Sequence, residues 1–264
     1  MSRCVTLWTL TLCSLPTLVL VTVAEGQMIV AHRGASADAP ENTLAAFQLA
    51  WEQGADAIEG DFYLSADHRI VALHDTSTKR TSGIDWDVRK HTLKELRTLD
   101  VGSWKAPQFA REKIPTLEEV ASTVPDGKTF LIEVKDQLHL VPHLAKSLQS
   151  LFTAKVLEPP QVRIICFDDG VISRCKTLIP EVQAFWLTSF KTDVIGRTRP
   201  PIQSILATLE ATRADGLDCK AANHIDADFV RQLRARRYQF HVWTVDQPEI
   251  AARFQRLGVD SITT

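Results

Sequence analysis

The chain alternates between short runs rich in β-branched and aromatic residues and longer segments whose apolar residues recur with helical spacing. In the segment 43–53, Leu44, Phe47 and Trp51 fall on one face, and Gly54 follows as a helix stop. Further helical segments are expected at 138–151 and 227–236. Strand-like runs are expected at 28–30, 57–63, 70–73, 130–134, 162–167, 182–187, 215–219, 239–245 and 260–263. This alternation predicts an α/β fold, a single TIM-type (β/α)8 barrel with one extra strand.

The extra strand is expected at 70–73, because its connection to the run at 57–63 is too short for a crossover helix. A parallel return needs about a dozen residues, so the two runs should form an antiparallel β-hairpin. A turn centred on 66–67 would place His74 opposite Glu59, and a slip of one residue would move that side chain to the other face. The hairpin therefore predicts His74 beside the carboxylates of the neighbouring strand.

Three carboxylates lie on two of the predicted strands. Glu59 and Asp61 are two residues apart and so face the same side, and Glu133 and Lys135 repeat that spacing on another strand. Carboxylates that converge in a barrel mouth repel one another unless a cation neutralises them, and an all-oxygen set favours Ca²⁺ or Mg²⁺. Lys135 would then contact a phosphate oxygen or hold a carboxylate in place. The alternative is exposed acids in surface ion pairs, but the strand-end positions near two histidines favour the metal site.

Two histidines, His32 and His74, each end an apolar strand and are followed by polar residues. Active sites of α/β barrels lie at the C-terminal ends of the strands. Imidazole titrates near neutrality, so one histidine could accept a proton from a nucleophile while the other donates one to a departing alkoxide. With a hard-cation site beside them, they are suited to cleaving a phosphate ester. The remaining histidines are expected to be surface or satisfied core residues.

The overall composition narrows the class of protein. The chain has 264 residues, of which 45% are hydrophobic and 23% are charged, as in an ordinary globular protein. Its formal net charge of -2 lacks the basic footprint of a nucleic-acid-binding protein. The expected partner is therefore a small-molecule substrate and no nucleic acid.

The first 24 residues differ in composition from the rest of the chain. Arg3 precedes an uncharged apolar run, 7–23, that ends in small residues. This pattern predicts a cleaved signal peptide at 1–24, which leaves a barrel domain at 25–264 that is exported to the periplasm or the cell exterior without stable membrane insertion. The alternative is an uncleaved membrane anchor, for which the run is short and interrupted by Pro16.

Three cysteines lie beyond the predicted leader: Cys166, Cys175 and Cys219. Their spacing is not that of a zinc site. An exported protein could join Cys166 to Cys175 in a disulfide, but isolated buried thiols are the favoured interpretation.

The motifs occur in an order that is typical of one enzyme family. HRG at 32–34, PENT at 40–43, an ExD at 59–61 and HD at 74–75 are followed by the blocks KRTSG, LIEVK and HVWTVD. From about residue 28 to its end, the chain resembles the glycerophosphodiester phosphodiesterase family. The resemblance implies a barrel of the phosphatidylinositol-phospholipase-C-like type. It also implies hydrolysis of glycerophosphodiesters to glycerol 3-phosphate and an alcohol, with a divalent cation.

Matched motif by motif, the resemblance also implies roles for individual residues. It implies that His32 and His74 are an acid/base pair. It also implies a set of metal ligands, which are Glu59, Asp61 and Glu133. It implies contacts to the substrate, which are Arg33 and Lys135 at the phosphate and Trp243 near the glycerol end, although a core tryptophan would look the same.

The resemblance assigns about 76–125 to a small insertion over the C-terminal mouth of the barrel. Its aromatic residues Trp86, Trp104 and Phe109 would either cover the site or pack the insertion onto the barrel. Two alternative functions follow. A lysophospholipase-D-like activity on longer-chain substrates would be decided by the insertion. A non-catalytic phospho-ligand-binding protein is disfavoured, because both histidines, the three carboxylates and Lys135 are all present.

Three positions beside the motifs carry weaker predictions. Glu41 and Asn42 would brace Arg33 or the metal ligands, although Asn42 could equally cap a helix. Gly60 stands between the two acids of the ExD, where the family more usually has a larger apolar residue, and would loosen the strand slightly.

Overall fold

A computed structural model describes residues 27–264 except 136, 193, 195 and 196. The predicted leader at 1–24 lies outside the described residues. The strands, in chain order, are β1 (Met28–Ala31), β2 (Ala57–Leu64), β3 (Ile70–Ala72), β4 (Thr129–Val134), β5 (Val162–Cys166), β6 (Gln183–Thr188), β7 (Lys191–Thr192), β8 (Thr198–Arg199), β9 (Gly216–Lys220), β10 (Gln239–Trp243) and β11 (Ser261–Thr263). All nine predicted strands are present, with ends that differ by at most two residues.

Eight of these strands close into a barrel in the order β1, β11, β10, β9, β6, β5, β4, β2, and β1 pairs with β2 to complete the ring. Every pair around the ring is parallel. β3 adds antiparallel to β2 outside the ring, and β7 and β8 form a separate two-stranded ribbon. The predicted barrel with one extra hairpin strand is therefore confirmed, whereas the small ribbon was not predicted.

The helices lie between the strands. They are α1 (Leu44–Glu52), α2 (Lys79–Ser82), α3 (Leu93–Leu96), α4 (Leu117–Ala121), α5 (Gln137–Thr153), α6 (Asp169–Leu178), α7 (Ile202–Thr212), α8 (Ala227–Arg234) and α9 (Pro248–Arg256), with 3₁₀ turns at Val88–Lys90, Pro107–Phe109 and Pro159–Gln161. Thr43 caps α1, because its hydroxyl accepts the backbone N–H of Ala46 at 3.2 Å. Among the described residues, no helix is long and apolar enough to cross a membrane.

Alternation along each strand divides the core into two parts. On β2, Ile58 and Phe62 face outward and belong to the large apolar cluster between the strands and the helices. Ala57 faces inward and packs with Leu131 and Phe185 in a second apolar cluster inside the barrel. Glu59 and Asp61 lie on the same inward face, two and four residues beyond Ala57. The barrel interior therefore changes from apolar to acidic towards the C-terminal end of β2.

Gly60 lies on the outward face of β2, where space is limited. A Cβ at this position would lie 3.1 Å from the ring of Phe47 and 3.2 Å from the ring of Phe62. The rings of Phe47 and Phe62 therefore fill the space that a side chain at this position would occupy. Their packing offsets the loosening of the strand that was expected from this glycine.

The register of the β2–β3 hairpin differs by one residue from the prediction. Leu64 pairs with Ile70, and continuing that register places His74 opposite Gly60 instead of Glu59. The reason is a five-residue turn, 65–69, in which the Ser65 backbone N–H donates to the Arg69 carbonyl at 2.9 Å. His68 adopts a left-handed conformation in this turn, with φ of 58°. His74 follows the end of β3, so strict alternation does not apply to it.

The segment between β3 and β4 contains the residues, about 76–125, that were expected to form an insertion. Its apolar residues Val88, Leu96 and Ile114 pack against Tyr63 and Leu73 in a small core of their own. The aromatic residues of the insertion that could have covered the site do not line its cavity. Trp86 stacks on His91 with ring centroids 4.4 Å apart, Trp104 is largely exposed, and none of the described insertion residues from Thr76 onward lines the cavity described below. These rings therefore pack or coat the insertion.

The described cysteines, Cys166, Cys175 and Cys219, are buried and free, so the favoured interpretation as isolated thiols holds. Burial raises the pKa of Cys166 and of Cys175 to about 12, which keeps both thiols protonated at neutral pH.

Candidate active site

A cavity of about 290 Å³ opens at the C-terminal ends of the barrel strands. Seven of the eight predicted site residues line it: His32, Arg33, Glu59, His74, Glu133, Lys135 and Trp243. The eighth, Asp61, is fully buried behind this wall. The structure therefore brings together residues as distant in the sequence as His32 and Trp243.

The three predicted metal ligands form one buried cluster. Glu59, Asp61 and Glu133 each offer a carboxylate oxygen, and these oxygens all lie within 4.8 Å of one another. Glu59 Oε1 and Asp61 Oδ1 are buried and have no hydrogen-bond partner among the described residues. Buried carboxylates at this spacing are unfavourable unless protons or a cation neutralise them.

The pKa shifts of the three carboxyl groups agree with this need for neutralisation. Burial raises the pKa of Glu59 well above its ordinary value, and the neighbouring charges of Asp61 and Glu133 raise it further. Burial, together with Asp61, raises the pKa of Glu133 to about 7. For Asp61, burial acts in the same direction, but Lys135 and Arg33 outweigh it and hold its pKa below the ordinary range. Asp61 is thus ionised at neutral pH.

Asn42 positions Asp61 from the loop before α1. Its side-chain amide donates to Asp61 Oδ2 at 2.9 Å, and its carbonyl oxygen accepts the Asp61 backbone N–H at 3.1 Å. Because Thr43 is the helix cap, the bracing role expected for Asn42 holds and the capping alternative is wrong. Asn42 adopts a left-handed conformation with φ of 58°, which asparagine tolerates better than most residues.

Two cations flank the carboxylates. Lys135 Nζ lies 2.9 Å from Glu133 Oε1 and 3.4 Å from Asp61 Oδ1. Arg33 Nε lies 3.2 Å from Asp61 Oδ2, and its backbone N–H donates to Glu59 Oε2 at 2.9 Å. Both side chains also reach the cavity, so they can hold the carboxylates and present positive charge to an anionic ligand.

The HRG motif sets the backbone that makes this possible. Arg33 and Gly34 both have positive φ, 59° and 78°. A Cβ on Gly34 would lie 2.6 to 2.8 Å from atoms of Ala46 in α1, so only glycine fits here. The close approach of this loop to α1 turns Arg33 back towards β2.

His32 is the more enclosed of the two histidines. Its Nε2 lies 4.0 Å from Glu59 Oε2. Burial, reinforced by the positive charge of Arg33, lowers the pKa of His32 to about 4. The imidazole is therefore neutral at physiological pH and can accept a proton.

His74 is oriented by the residue that follows it. Its Nδ1 lies 2.9 Å from Asp75 Oδ1. Although partial burial acts to raise the pKa of Asp75, hydrogen bonds from Arg80 and His74 hold it below the ordinary value. A carboxylate only accepts, so Nδ1 carries the hydrogen and Nε2 is left for proton exchange in the cavity.

Arg80, in α2 of the insertion, was not predicted as a site residue. Its guanidinium donates to Asp75 Oδ2 at 2.7 Å and to both oxygens of Glu41 at 2.7 and 2.8 Å. Glu41 in turn accepts from Arg33 at 3.0 Å, as expected for a brace. The KRTSG block contains this residue, but its sequence gives no sign of which acids it would meet.

The rest of the cavity wall is mostly apolar. It consists of Ile165, Phe167, Leu187 and Trp243, and the rings of Phe167 and Trp243 meet edge to face with centroids 5.7 Å apart. Asp218 on β9 also lines this part of the cavity and was missed by the sequence analysis. Burial, reinforced by Glu133, raises the pKa of Asp218 to about 8.

The carboxylate cluster fits a hard divalent cation. It supplies three oxygens and no thiolate or imidazole, and Glu59 Oε1 has no hydrogen-bond partner among the described residues. With two histidines and two fixed cations around one cavity, the arrangement is suited to cleavage of a phosphate ester. Fold and cavity together define a (β/α)8-barrel hydrolase.

The family follows from comparison with known proteins. A model of the glycerophosphoryl diester phosphodiesterase family matches residues 32–264, and the chain belongs to this family. It is 49% identical over 250 residues to a Mycobacterium tuberculosis protein named "Probable glycerophosphodiester phosphodiesterase 1", covering 89% of this chain and 88% of the other. It is 32% identical over 239 residues to a glycerophosphodiester phosphodiesterase of Caldanaerobacter subterraneus, covering 90% and 93%.

Solved structures agree with the fold. An Oleispira antarctica phosphodiesterase, solved in complex with the product sn-glycerol-3-phosphate, is similar with a TM-score of 0.77 at 27% identity, covering 89% of this chain and 92% of the other. A glycerophosphodiester phosphodiesterase of Thermotoga maritima is similar with a TM-score of 0.70 at 27% identity, covering 90% and 95%. The resemblance inferred from the motifs is therefore confirmed, and the chain is an enzyme of the phosphodiesterase class.

Proposed function

We propose that this enzyme hydrolyses glycerophosphodiesters to glycerol 3-phosphate and an alcohol, with a bound divalent cation. The observation that carries the proposal is the single cavity in which His32 and His74 meet Glu59, Glu133 and two fixed cations. The glycerol 3-phosphate bound to the Oleispira antarctica relative supports a substrate of this class.

In the proposed mechanism the two histidines transfer protons. His32, neutral because of its lowered pKa, accepts the proton of the nucleophile, which is either water or the neighbouring hydroxyl of the glycerol. His74, protonated on both nitrogens with its Nδ1–H held by Asp75, donates the Nε2 proton to the departing alkoxide as the P–O bond to the alcohol breaks. Attack by the glycerol hydroxyl would give a cyclic phosphate, which a water molecule would then open to glycerol 3-phosphate. Arg33 and Lys135 bind the phosphate and stabilise the charge that develops on its oxygens.

Glu59, Asp61 and Glu133 would hold the cation, which we propose to be Ca²⁺ or Mg²⁺. When bound, such an ion neutralises phosphate charge and lowers the pKa of a coordinated hydroxyl or water. The fit rests on three convergent carboxylate groups, and on Glu59 Oε1, which has no hydrogen-bond partner among the described residues.

The test is the release of glycerol 3-phosphate from glycerophosphocholine and glycerophosphoethanolamine by the purified protein. The assay is run in EDTA and then with Ca²⁺ and Mg²⁺ added back separately. We expect no release in EDTA and recovery with one or both ions. Full activity in EDTA would contradict the metal requirement and leave the reaction standing.

Two other outcomes would change the assigned function. Release of choline from lysophospholipids, with no activity on the short diesters, would favour the lysophospholipase-D-like alternative. A folded protein that binds the cation and cleaves neither class of substrate would favour a phospho-ligand-binding protein.

We also propose that the protein is exported. The support is the apolar run behind Arg3 and the small residues at 22–24. N-terminal sequencing of the mature protein should begin near residue 25, and a first residue at the original N-terminus would favour an uncleaved anchor.

A further inference from the structure

The loop 32–43, between β1 and α1, carries two of the proposed site residues, His32 and Arg33. Ser36 ties this loop to its own beginning, because its hydroxyl donates to the His32 carbonyl oxygen at 2.7 Å. Its backbone N–H also donates to the Gly34 carbonyl oxygen at 2.7 Å. The position of Ser36 therefore bears directly on where His32 and Arg33 lie.

Ser36 is held from outside the loop by the insertion. Its carbonyl oxygen accepts a hydrogen bond from Lys105 Nζ at 2.8 Å, although the two residues are 69 positions apart in the sequence. Lys105 is half-buried, and its ammonium group also lies 5.9 Å from the ring centroid of Trp104. A hydrogen bond from a charged donor is roughly twice as strong as one between neutral groups. The insertion thus directs a charge-assisted hydrogen bond at the loop.

The backbone that presents Lys105 is fixed by a single aspartate. Asp100 Oδ1 accepts the backbone N–H groups of Gly102 and Ser103 at 2.9 and 3.0 Å, and Oδ2 accepts that of Arg111 at 2.9 Å. Hydrogen bonds from the Ser103 hydroxyl and from these backbone groups hold the pKa of Asp100 well below its ordinary value. The Lys105 backbone N–H donates to the Gly102 carbonyl oxygen at 2.9 Å. Lys105 therefore reaches the loop from an ordered turn.

The insertion contacts the same part of the chain at two further points. The carboxylate of Glu112 accepts the backbone N–H of Ala45, in the first turn of α1, where N–H groups have no partner within the helix. Between these points, Arg80 donates to Glu41. The loop is therefore held at Ser36 near its start, at Glu41 near its end, and at the helix that follows it.

Neither Lys105 nor Ser36 lines the cavity, so an effect of Lys105 on catalysis has to pass through the loop. Proton transfer requires His32 within hydrogen-bond distance of the nucleophile. A displacement of about 1 Å can lower a rate about a hundredfold. A loop that is released at Ser36 would let His32 and Arg33 make such displacements.

We infer that Lys105 is a positioning residue, which holds the loop of His32 and Arg33 in its catalytic position through the Ser36 carbonyl. This inference rests on the proposed function for the identity of the reaction. It gives the insertion a part in catalysis, although none of its described residues from Thr76 onward lines the cavity.

The first test is kinetic and uses glycerophosphocholine as the substrate. Lys105→Met keeps the length of the side chain and removes the donor, so we expect kcat to fall about tenfold with a smaller change in KM. Lys105→Arg restores a charged donor and should recover at least about half of the wild-type kcat. Lys94→Met, which replaces an exposed lysine of α3 in the same insertion, is the matched control and should keep the wild-type kcat.

Two kinetic outcomes would overturn the inference. One is a wild-type kcat in Lys105→Met. The other is an equal loss in Lys105→Met and Lys105→Arg, because the donor would then not be the group that matters. Thermal unfolding checks that the variants are folded, and if Lys105→Met fails to fold, Lys105→Gln takes its place.

Hydrogen exchange, measured by mass spectrometry, tests the contact without relying on turnover. The backbone N–H groups of Ser36, Asp38 and Ala39 are hydrogen-bonded within the loop. In Lys105→Met, we expect peptides that cover 34–42 to exchange about threefold to tenfold faster, because the loop opens more often. Lys105→Arg and Lys94→Met should exchange at the wild-type rate.

This measurement separates the inference from the proposed reaction. If the wild-type protein cleaves no glycerophosphodiester, the proposed function fails, while faster exchange of the loop in Lys105→Met would still support Lys105 as the residue that holds it. Unchanged exchange of the loop in Lys105→Met would overturn the inference, whatever the activity of the variant.

Discussion

Arg80 donates two hydrogen bonds to Glu41, at 2.7 and 2.8 Å, although the two residues are 39 positions apart and lie in different parts of the fold. The same guanidinium donates to Asp75, which holds His74. Glu41 also accepts from Arg33. One arginine of the insertion thus connects the supports of a proposed catalytic histidine and of a proposed phosphate ligand.

Replacing Arg80 should therefore impair catalysis more than folding. Arg80→Lys keeps the charge but cannot make the forked contact, so we expect kcat to fall about tenfold, and Arg80→Gln should fall further. Steady-state kinetics with glycerophosphocholine measures this change. Lys79→Gln is the matched control, because Lys79 is exposed and pairs only loosely with Asp85 at 3.7 Å. Wild-type kcat in Arg80→Gln would show that the connection has no catalytic role.

Loss of either proposed proton-transfer residue should abolish most turnover. We expect His32→Gln and His74→Gln to lower kcat by about a hundredfold to ten-thousandfold, the usual contribution of general acid–base catalysis. Thermal unfolding should show that both variants remain folded. His143→Gln serves as the control and should keep full activity, because this half-buried histidine of α5 stacks on His68 and does not line the cavity. Near wild-type turnover in either site variant would refute the assignment of that histidine.

The unloaded carboxylate cluster should make stability depend on pH. The folded pKa of Glu133 is raised to about 7 and that of Asp218 to about 8, and the pKa of Glu59 is raised as well. The stability that comes from their bound protons is complete below their ordinary pKa values and is lost as the pH rises through the folded values. In EDTA, the melting temperature should therefore fall between pH 6.5 and 8.5, by roughly 2 to 4 °C for each kcal/mol lost.

This pH window avoids the opposing contribution of His32. Its folded pKa is lowered to about 4, so it reduces stability as the pH falls from its ordinary value of 6.5 towards 4, and it contributes little above that range. Saturating Ca²⁺ or Mg²⁺ should make the fall between pH 6.5 and 8.5 smaller, because the cation replaces the protons of Glu59 and Glu133, whereas the contribution of Asp218 remains. A melting temperature in EDTA that stays level or rises across this window would contradict the cluster's described protonation.

Glu59→Gln should weaken cation binding and stabilise the cation-free protein. The amide removes one negative charge from the cluster, while its oxygen can still accept from the Arg33 backbone. Calorimetric titration should show a lower affinity for Ca²⁺ and Mg²⁺, and the melting temperature in EDTA should rise at pH 8. Glu118→Gln, which removes a partly exposed carboxylate outside the cluster, is the control. Unchanged affinity for both ions would remove Glu59 from the ligand set.

Much of the fold and of the site could be predicted from the sequence, because it depends on short-range spacing. Glu59 and Asp61 share a face through the two-residue repeat of a strand, and His32 follows an apolar strand directly. Strand and helix alternation was enough to predict the closed barrel. These features require no knowledge of which distant segments meet.

The features that were missed depend on tertiary contacts. Asp218 looks like any acid in a short strand until the barrel closes and turns it inward. Arg80 acquires its partners only when the insertion folds back onto the loop that carries Glu41. The predicted register of the β2–β3 hairpin was wrong by one residue. The turn, in which His68 takes a left-handed conformation, is one residue longer than the predicted turn.

The buried carboxylates of Glu59 and Glu133 also make protons and the proposed cation rivals for the same oxygens. In mildly acidic surroundings, protons would displace the ion and leave a folded but idle protein. Neutralisation in the presence of the ion would restore activity without refolding. Ambient acidity would thus act as a reversible inhibitor of the enzyme, and the proposed export would expose it to such changes.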